Sequence, residues 1–326
     1  MERIKNKNIL ITGGHGFIGR NLSEYFMNRH TVFAPSHHEL DLLDEDAVKK
    51  FIKKKRIDII IHGANVGGGR DTTDIQKVAY QNIRMFFSII RNASEVEKTI
   101  HFGSGAGYDM RYYRPKMRED QFGAHIPVDE YGFAKYVCSK YITAHNQSNV
   151  IEFRLFGVYG KYEKYSIKFI SNVIVKNIFS LPITISQNVF FDYIYIDDLI
   201  KVVEYFIVNP STYRTYNVTT GKTIDLLTIA NIVNKFGRIH GHKESKINIM
   251  HPGLGYEYSG DNRRLREVFQ KLEFISHEDA IHALYKWYLS IKDSLDSSLI
   301  ERGDKEYLKH CRIKYETKKG FGDGGL

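Results

Sequence analysis

The chain has 326 residues, 42% of them hydrophobic and 26% charged, which is long enough to bury a large core as one domain or two closely joined ones. No apolar run approaches the ~20 residues of a membrane-spanning helix, so no membrane association is expected. The net charge of +9 comes from short lysine clusters separated by acidic residues, with no nucleic-acid-binding motif among them, so nucleic acid is not an expected partner.

In chain order, residues 8–12 read as a first strand that runs into glycines and then a helix over 17–28, with Phe17, Ile18, Leu22, Tyr25 and Phe26 at helical spacing. A second strand follows at 31–34. Asp44 caps a helix over 45–55, and 57–61 is the third strand. A long helix covers 74–92, a strand at 99–103 leads to Ser104, a helix spans 131–145, and 150–154 is again a strand. This alternation predicts an α/β fold, a Rossmann-type doubly wound parallel sheet. The second half is more mixed. It has helices over 167–179, 197–208, 226–236 and 278–290 and strands starting at Pro182 and Tyr216, as expected of a smaller mixed α/β substrate-binding domain. The expected division assigns 1–157 plus 188–220 to dinucleotide binding, 158–187 plus 221–300 to substrate, and 301–326 to a C-terminal tail.

Cys138 and Cys311 are far apart and form no metal-ligand spacing, so no metal is expected. The first residues pass from a few charges straight into a strand without a signal-peptide core, and a reducing cytoplasm is the expected location.

Thr12-Gly-Gly-His-Gly-Phe-Ile-Gly19 follows a strand and opens a helix. Gly13, Gly16 and Gly19 let the chain turn sharply and approach a pyrophosphate, while Phe17, Ile18 and Gly19 offer the free N–H groups of a helix start. At the end of the second strand, where NAD enzymes place a carboxylate, the chain has Pro35-Ser36-His37-His38. A hydroxyl and imidazoles suit a 2′-phosphate, so NADP is the expected cofactor and NAD the alternative; a plain turn with a solvated histidine pair is the bland reading. Asp41 and Leu42 would flank the adenine.

Tyr131 and Lys135 lie four residues apart on one helix face, and a nearby ammonium favours phenolate, fitting Tyr131 for acid–base work. Tyr-x-x-x-Lys alone is equally an amphipathic helix with a surface lysine. It gains weight from its place one βα unit after Ser104.

With these residues the chain resembles the extended short-chain dehydrogenase/reductases acting on nucleotide sugars, the NAD-dependent epimerase/dehydratase family, from about residue 8 to 288. The resemblance rests on the glycine cradle, Tyr80-Gln-Asn82, Ser104/Tyr131/Lys135, Arg154-Leu-Phe-Gly-Val-Tyr-Gly160, Asp192-Tyr-Ile-Tyr-Ile-Asp-Asp198 and Tyr216-Asn-Val-Thr-Thr-Gly221. Glu39 to Asp44 and Asn65 to Gly69 look most like the GDP-fucose synthase branch. The resemblance implies that Tyr131 exchanges a proton with the sugar oxygen, Ser104 hydrogen-bonds that oxygen, and Lys135 binds the nicotinamide ribose. It further implies that Ala64 lines the cofactor cleft, that Val66, Gly67, Gly105 and Ala106 border the substrate, and that Arg263 or Arg264 clamps its diphosphate, unless they are a plain surface pair at a helix start.

Departures narrow the reaction. Where 4,6-dehydratases carry Asp and Glu after the serine or threonine, this chain has Gly105 and Ala106. The cysteine of the 3,5-epimerising synthases is replaced by Ala106, and no histidine stands around Ser166-Ile167-Lys168. Phe190-Phe191 replaces an arginine that many relatives carry near the substrate. The leading expectation is NADP(H)-dependent reduction of a nucleotide-linked 4-keto sugar, with GDP as candidate nucleotide, for surface-polysaccharide synthesis. The alternatives are a C4 epimerase holding NAD tightly and a non-catalytic nucleotide- or RNA-binding member of the fold. Relatives dimerise through helices equivalent to 74–92 and 131–145, so a homodimer is expected, with Phe86, Phe87, Ile89 and Ile90 either at that contact or packed on the sheet.

Overall fold

In a computed structural model, which describes residues 6–69, 76–145 and 147–304, the apolar runs of the first half form strands that alternate with helices as expected. They are β1 (Asn8–Thr12), α1 (Phe17–Phe26), β2 (Thr31–Phe33), α2 (Glu45–Lys55), β3 (Ile59–His62), α3 (Val78–Ile90), β4 (Lys98–Ser104), α4 (Glu130–Ala144) and β5 (Val150–Leu155). The second half adds β6 (Gly157–Tyr159), α5 (Phe169–Ile178), β7 (Ile183–Asn188), β8 (Phe190–Phe191), β9 (Tyr193–Tyr195), α6 (Ile196–Val208) and β10 (Thr215–Val218). The remaining elements are β11 (Ile224–Asp225), α7 (Leu226–Ile239), β12 (Ile247–Leu254), α8 (Arg263–Val268) and α9 (His277–Ser290).

Six strands pair in parallel in the order β10-β5-β4-β3-β1-β2. The chain leaves β1 toward β2 and returns on the other side at β3, so the strand order reverses between β1 and β3. In doubly wound sheets the cleft beyond the carboxyl ends of such strands takes the ligand. Both faces of the sheet are covered, which is why its strands read as continuous Ile, Leu and Val runs. Ile9 and Ile11 pack with Leu22 and Phe26 of α1, while Leu10 packs with Val48 and Ile52 of α2. The first of these clusters continues without a break into Ile174, Val203, Ile229 and Leu284, so the second half shares its core with the sheet.

The second half is built around the small parallel pairs β7–β12 and β6–β9 and the antiparallel pair β8–β11. β12 has no forecast from the sequence because Pro252 and Gly253 interrupt it, and its register with β7 shifts between His251 and Leu254.

Element ends move for identifiable reasons. The third strand starts at Ile59 rather than Ile57, because Arg56 takes a left-handed conformation (φ 49°) and Ile57 N–H still bonds Ile52 O in the helix stop. Asp44 caps α2 as expected, accepting from Ala47 N at 3.0 Å. The helix expected over 74–92 runs from Val78 to Ile90, and residues 74 and 75 lie outside those described. At the start of the expected tail, residues 301–304 are helical, Gly303 packs against the Ser166 carbonyl and Asp304 pairs with buried Lys176 at 2.7 Å. Residues 305–326 lie outside the described part.

Candidate active site

The glycine cradle forms at the end of β1. Gly13 has φ +71°, and a β-carbon there would stand 2.9 Å from the backbone of Ala64, so β1 and β3 approach closely only because it is glycine. A β-carbon on Gly19 would overlap the Gly13 carbonyl. Helix α1 starts at Phe17 behind Gly16, with no side-chain cap and no acidic residue in its first turn. Phe17, Ile18 and Gly19 therefore present helix-start N–H groups to an anion, and the cradle fits a dinucleotide pyrophosphate. Thr12 joins the two strand ends: its Oγ1 accepts from Ala64 N at 3.2 Å and lies 2.7 Å from His62 Nδ1. This holds Ala64 at the mouth of the cleft.

At the end of β2 the structure differs from the sequence picture. Glu39 folds back so that its carboxylate accepts from Ser36 N at 2.8 Å and Ser36 Oγ at 2.9 Å. These bonds hold the Glu39 carboxyl below its usual range. The Ser36 hydroxyl is thus engaged inside its own turn, while His37 and His38 are exposed and in ring contact at 3.7 Å. Asp41 closes a local turn by accepting from Leu43 N at 2.9 Å, and Leu42 packs on the cluster of Leu10 and Val48.

Ser104 ends β4, and its Oγ accepts from Ala106 N at 3.1 Å, starting the short turn Gly105–Tyr108. Helix α4 begins against this turn. It is capped by Asp129, which accepts from Gly132 N at 2.8 Å, and a β-carbon on Gly132 would lie 2.9 Å from Ala106 O. That close approach brings the first turn of α4, with Tyr131, beside Ser104. Lys135, one turn further on, is buried; its Nζ donates to Phe102 O at 2.9 Å and stands 5.6 Å from the Tyr131 ring centre. Beneath Lys135 the rings of His62 and His101 stack at 5.2 Å. Burial, reinforced by Lys135, pushes His62 down to about 3, and burial likewise keeps His101 neutral, so the ammonium is the local positive charge.

The loop after β3 forms the opposite wall. Asn82 accepts from Val66 N at 2.9 Å and donates to Val66 O at 2.7 Å, fixing Val66 and Gly67 over the site. Gly67 and Gly68 have φ near +80°, and a β-carbon on Gly68 would lie 2.7 Å from the Tyr131 ring. Tyr131 thus leans on a bare backbone.

Two side chains that carried no sequence signal complete the surroundings of Ser104. A β-carbon on Gly105 would lie 2.6 Å from Tyr258 Oη, 2.8 Å from Tyr113 Oη and 2.8 Å from the Phe156 ring. Tyr113 and Tyr258 stack at 4.9 Å, and Tyr113 Oη donates to Gly105 O at 3.3 Å. Behind them lies a buried polar network. Arg154 bonds Tyr108 Oη (3.0 Å), Ser139 Oγ (2.7 Å) and Glu152 (3.1 Å), and Tyr108 Oη donates to Asn217 (2.8 Å).

The other sequence candidates engage partners of their own. Arg263 opens α8 at the surface and pairs with Asp261 at 2.8 Å, while Arg264 covers the Tyr213 ring at 4.9 Å. Phe191 stacks on Tyr193 at 5.1 Å. Buried Asp192 accepts from Thr220 N, Thr220 Oγ1 and Gly221 N at 2.7–2.8 Å, tying the strand regions together; burial raises its carboxyl to about 6 against the pull of these bonds. Cys138 is a core thiol pushed up to about 12 by burial. Phe86, Ile89 and Ile90 are buried in this chain's own core, which leaves Tyr80, Ile83 and Phe87 on the outer side of α3. Among the described residues no cluster of His, Cys, Asp and Glu is arranged to hold a metal ion, and no helix is long and apolar enough to cross a membrane.

A family model described as the NAD dependent epimerase/dehydratase family matches residues 9–219. GDP-L-colitose synthase of Yersinia pseudotuberculosis is 23% identical over 88% of this chain and 99% of its own length. Among solved structures, the GDP-mannoheptose C4 reductase of Campylobacter jejuni with NADP bound superposes with a TM-score of 0.73 at 22% identity, covering 87% of this chain and 98% of that one. The UDP-glucose 4-epimerase of Thermotoga maritima with UDP-glucose gives 0.72 at 17% identity, covering 87% and 99%. At these identities the structural likeness establishes the fold.

Proposed function

Since this chain belongs to the NAD dependent epimerase/dehydratase family, we propose that it reduces a nucleotide-linked 4-keto sugar with NADP(H), GDP being the candidate nucleotide. The observation that carries this reading is the grouping of Ser104, Tyr131 and Lys135 beyond the glycine cradle, with Gly105 and Ala106 beside the serine in place of further acids or bases. The dinucleotide supplies the hydride when bound. Tyr131 gives its phenolic proton to the sugar oxygen, Ser104 donates a hydrogen bond to the same oxygen, and Lys135, which donates to Phe102 O, holds a ribose hydroxyl. No side chain at 105 or 106 can carry a proton to or from a neighbouring carbon, so neither dehydration nor 3,5-epimerisation belongs to the reaction. His37 and His38 are the exposed groups available to a 2′-phosphate, and Val66, Gly67 and Arg263 remain the proposed substrate contacts. A cytoplasmic homodimer meeting through Tyr80, Ile83 and Phe87, serving polysaccharide synthesis, goes with this reading.

The test is NADPH oxidation with a GDP-linked 4-keto hexose. Tyr131→Phe should lower kcat by about 10²-fold or more while dinucleotide affinity stays within about twofold. Full turnover by that variant removes Tyr131 from the chemistry. The second reading, a C4 epimerase, uses the same three residues and is favoured by the likeness to the Thermotoga enzyme. It requires purified protein that carries stoichiometric NAD⁺ and needs no added cofactor.

A further inference from the structure

We infer that Tyr258, held in place by Tyr113, sets the direction of the Ser104 hydroxyl so that its hydrogen points at the sugar carbonyl. This rests on the proposal that Ser104 meets the substrate oxygen, and it assigns a positioning role to a residue from near the far end of the chain.

The argument is one of donors and acceptors. A hydroxyl has one hydrogen and two lone pairs. One lone pair of Ser104 Oγ is taken by Ala106 N–H at 3.1 Å. The Tyr258 hydroxyl sits over Gly105, the residue that follows Ser104, with its ring stacked on Tyr113, and Ser104 and Tyr113 are among the groups that act on its phenol. Tyr113 gives its own hydrogen to Gly105 O at 3.3 Å, so toward Tyr258 it can only accept. Two arrangements of protons follow. With the site empty, Ser104 can donate to Tyr258, Tyr258 to Tyr113, and Tyr113 to Gly105 O. A ketone oxygen brings lone pairs only. When it arrives, Ser104 turns its hydrogen outward, and the second lone pair of Oγ is open to the hydrogen of Tyr258. The series then runs Tyr258 to Ser104 to carbonyl, and each bond polarises the next. Ser104 and Tyr131 both become donors to one oxygen, the pattern that stabilises charge developing on it during reduction.

Tyr258 is suited to this by its anchoring. Its N–H bonds Phe190 O at 2.8 Å, its carbonyl accepts from Asp192 N at 3.0 Å, and its ring stacks on Tyr113 and lies 5.3 Å from Phe156. Burial raises its phenol far above the usual range, so at neutral pH it keeps the hydrogen it must donate. Tyr131 and Asp129 are the neighbouring ionisable groups that add to this effect.

The experiment is a double-mutant cycle over Ser104→Ala and Tyr258→Phe, read as kcat and KM for a GDP-linked 4-keto hexose. Tyr258→Phe should lower kcat about three- to tenfold, the worth of one hydrogen bond, with KM within about twofold. In the Ser104→Ala background the same substitution should change nothing further. Full multiplicative losses in the double variant, or a raised KM with unchanged kcat, overturn the proposal. Crystal structures of the dinucleotide complexes read the same contact without turnover. Tyr258 Oη within about 3.0 Å of Ser104 Oγ, with the serine re-oriented or joined by water in Tyr258→Phe, is the expected result. A Tyr258 ring turned away from Ser104 in the wild type refutes it. Failure of the wild type to reduce any keto sugar counts against the reductase reading alone, and the contact is then decided by the two crystal structures.

Discussion

Gly105→Ala introduces one methyl group and no chemistry, so it isolates the steric role of the residue after the serine. Its β-carbon would lie 2.6 Å from Tyr258 Oη and 2.8 Å from both Tyr113 Oη and Phe156 Cδ1, separations that ordinary carbon contacts do not reach. None of the three can withdraw easily. Tyr258 is tethered by its backbone to Phe190 and Asp192, Tyr113 is stacked on it, and Phe156 sits between β5 and β6. Overpacking of this kind costs about 1–3 kcal/mol, a factor of roughly 5 to 150 in the folding equilibrium. The cheapest relief is to push the Tyr258 hydroxyl away from Gly105 and, on the role inferred for it, out of reach of Ser104, so kcat should fall by about the same three- to tenfold as in Tyr258→Phe. Urea unfolding monitored by far-UV circular dichroism gives the first number and NADPH oxidation the second. Stability within about 0.5 kcal/mol of wild type together with unchanged kcat would mean that the aromatic wall yields freely, and the reasoning fails.

Glu163 gives a pH prediction with a definite sign. Burial raises its carboxyl from 4.5 to about 7, against the pull of the Ser171 hydroxyl, so the folded chain binds this proton more tightly than the unfolded one. Its contribution is full below about pH 4.5 and is lost as pH rises toward 7, on the order of 3 kcal/mol. Glu163→Gln should flatten stability across that window and exceed wild type at pH 8; parallel pH profiles from urea titrations would contradict this. At the other end of the cleft, Glu39→Ala frees the Ser36 hydroxyl and removes an exposed negative charge from the edge proposed for the 2′-phosphate. The ratio of kcat/KM for NADPH over NADH should rise about threefold or more, and an unchanged ratio would show that this turn does not face the cofactor.

The parts legible in the sequence were those whose signal is local. Gly13, Gly16 and Gly19 lie between a buried strand and an amphipathic helix, and the turn they make is dictated within eight residues. Asp44 announces its helix by chemistry, and Tyr131 and Lys135 share a face by helical spacing. What escaped was created by long-range approach. In a chain with 22 Tyr, nothing in the spacing singles out Tyr113 or Tyr258, and only the tether of Tyr258 to Phe190 and Asp192 brings it over Gly105. Asn82 was visible as part of a motif, but its work of holding both backbone groups of Val66 depends on where the β3 loop returns. The bond between Ser36 and Glu39 was not legible, because a carboxylate three residues downstream in sequence folds back in space.

Seen this way, the two inert residues after Ser104 are inert for different reasons. At Ala106 a small side chain already exists, and the close approach is to its carbonyl, 2.9 Å from where a β-carbon on Gly132 of α4 would stand. At Gly105 the space itself is occupied by two phenols and a ring, so a dehydratase-like Asp requires the removal of Tyr258 and Tyr113 as well. Those phenols keep their hydrogens, Tyr113 being raised by burial as Tyr258 is, so neither is a base at neutral pH. In the proposed reaction an oxygen that gains negative charge meets Ser104 and Tyr131 as donors, and the phenols beside Gly105 offer no base to an adjacent carbon. The packing around Gly105 thus supports the proposed reading that no dehydration step occurs, because it states what stands in place of the missing acids.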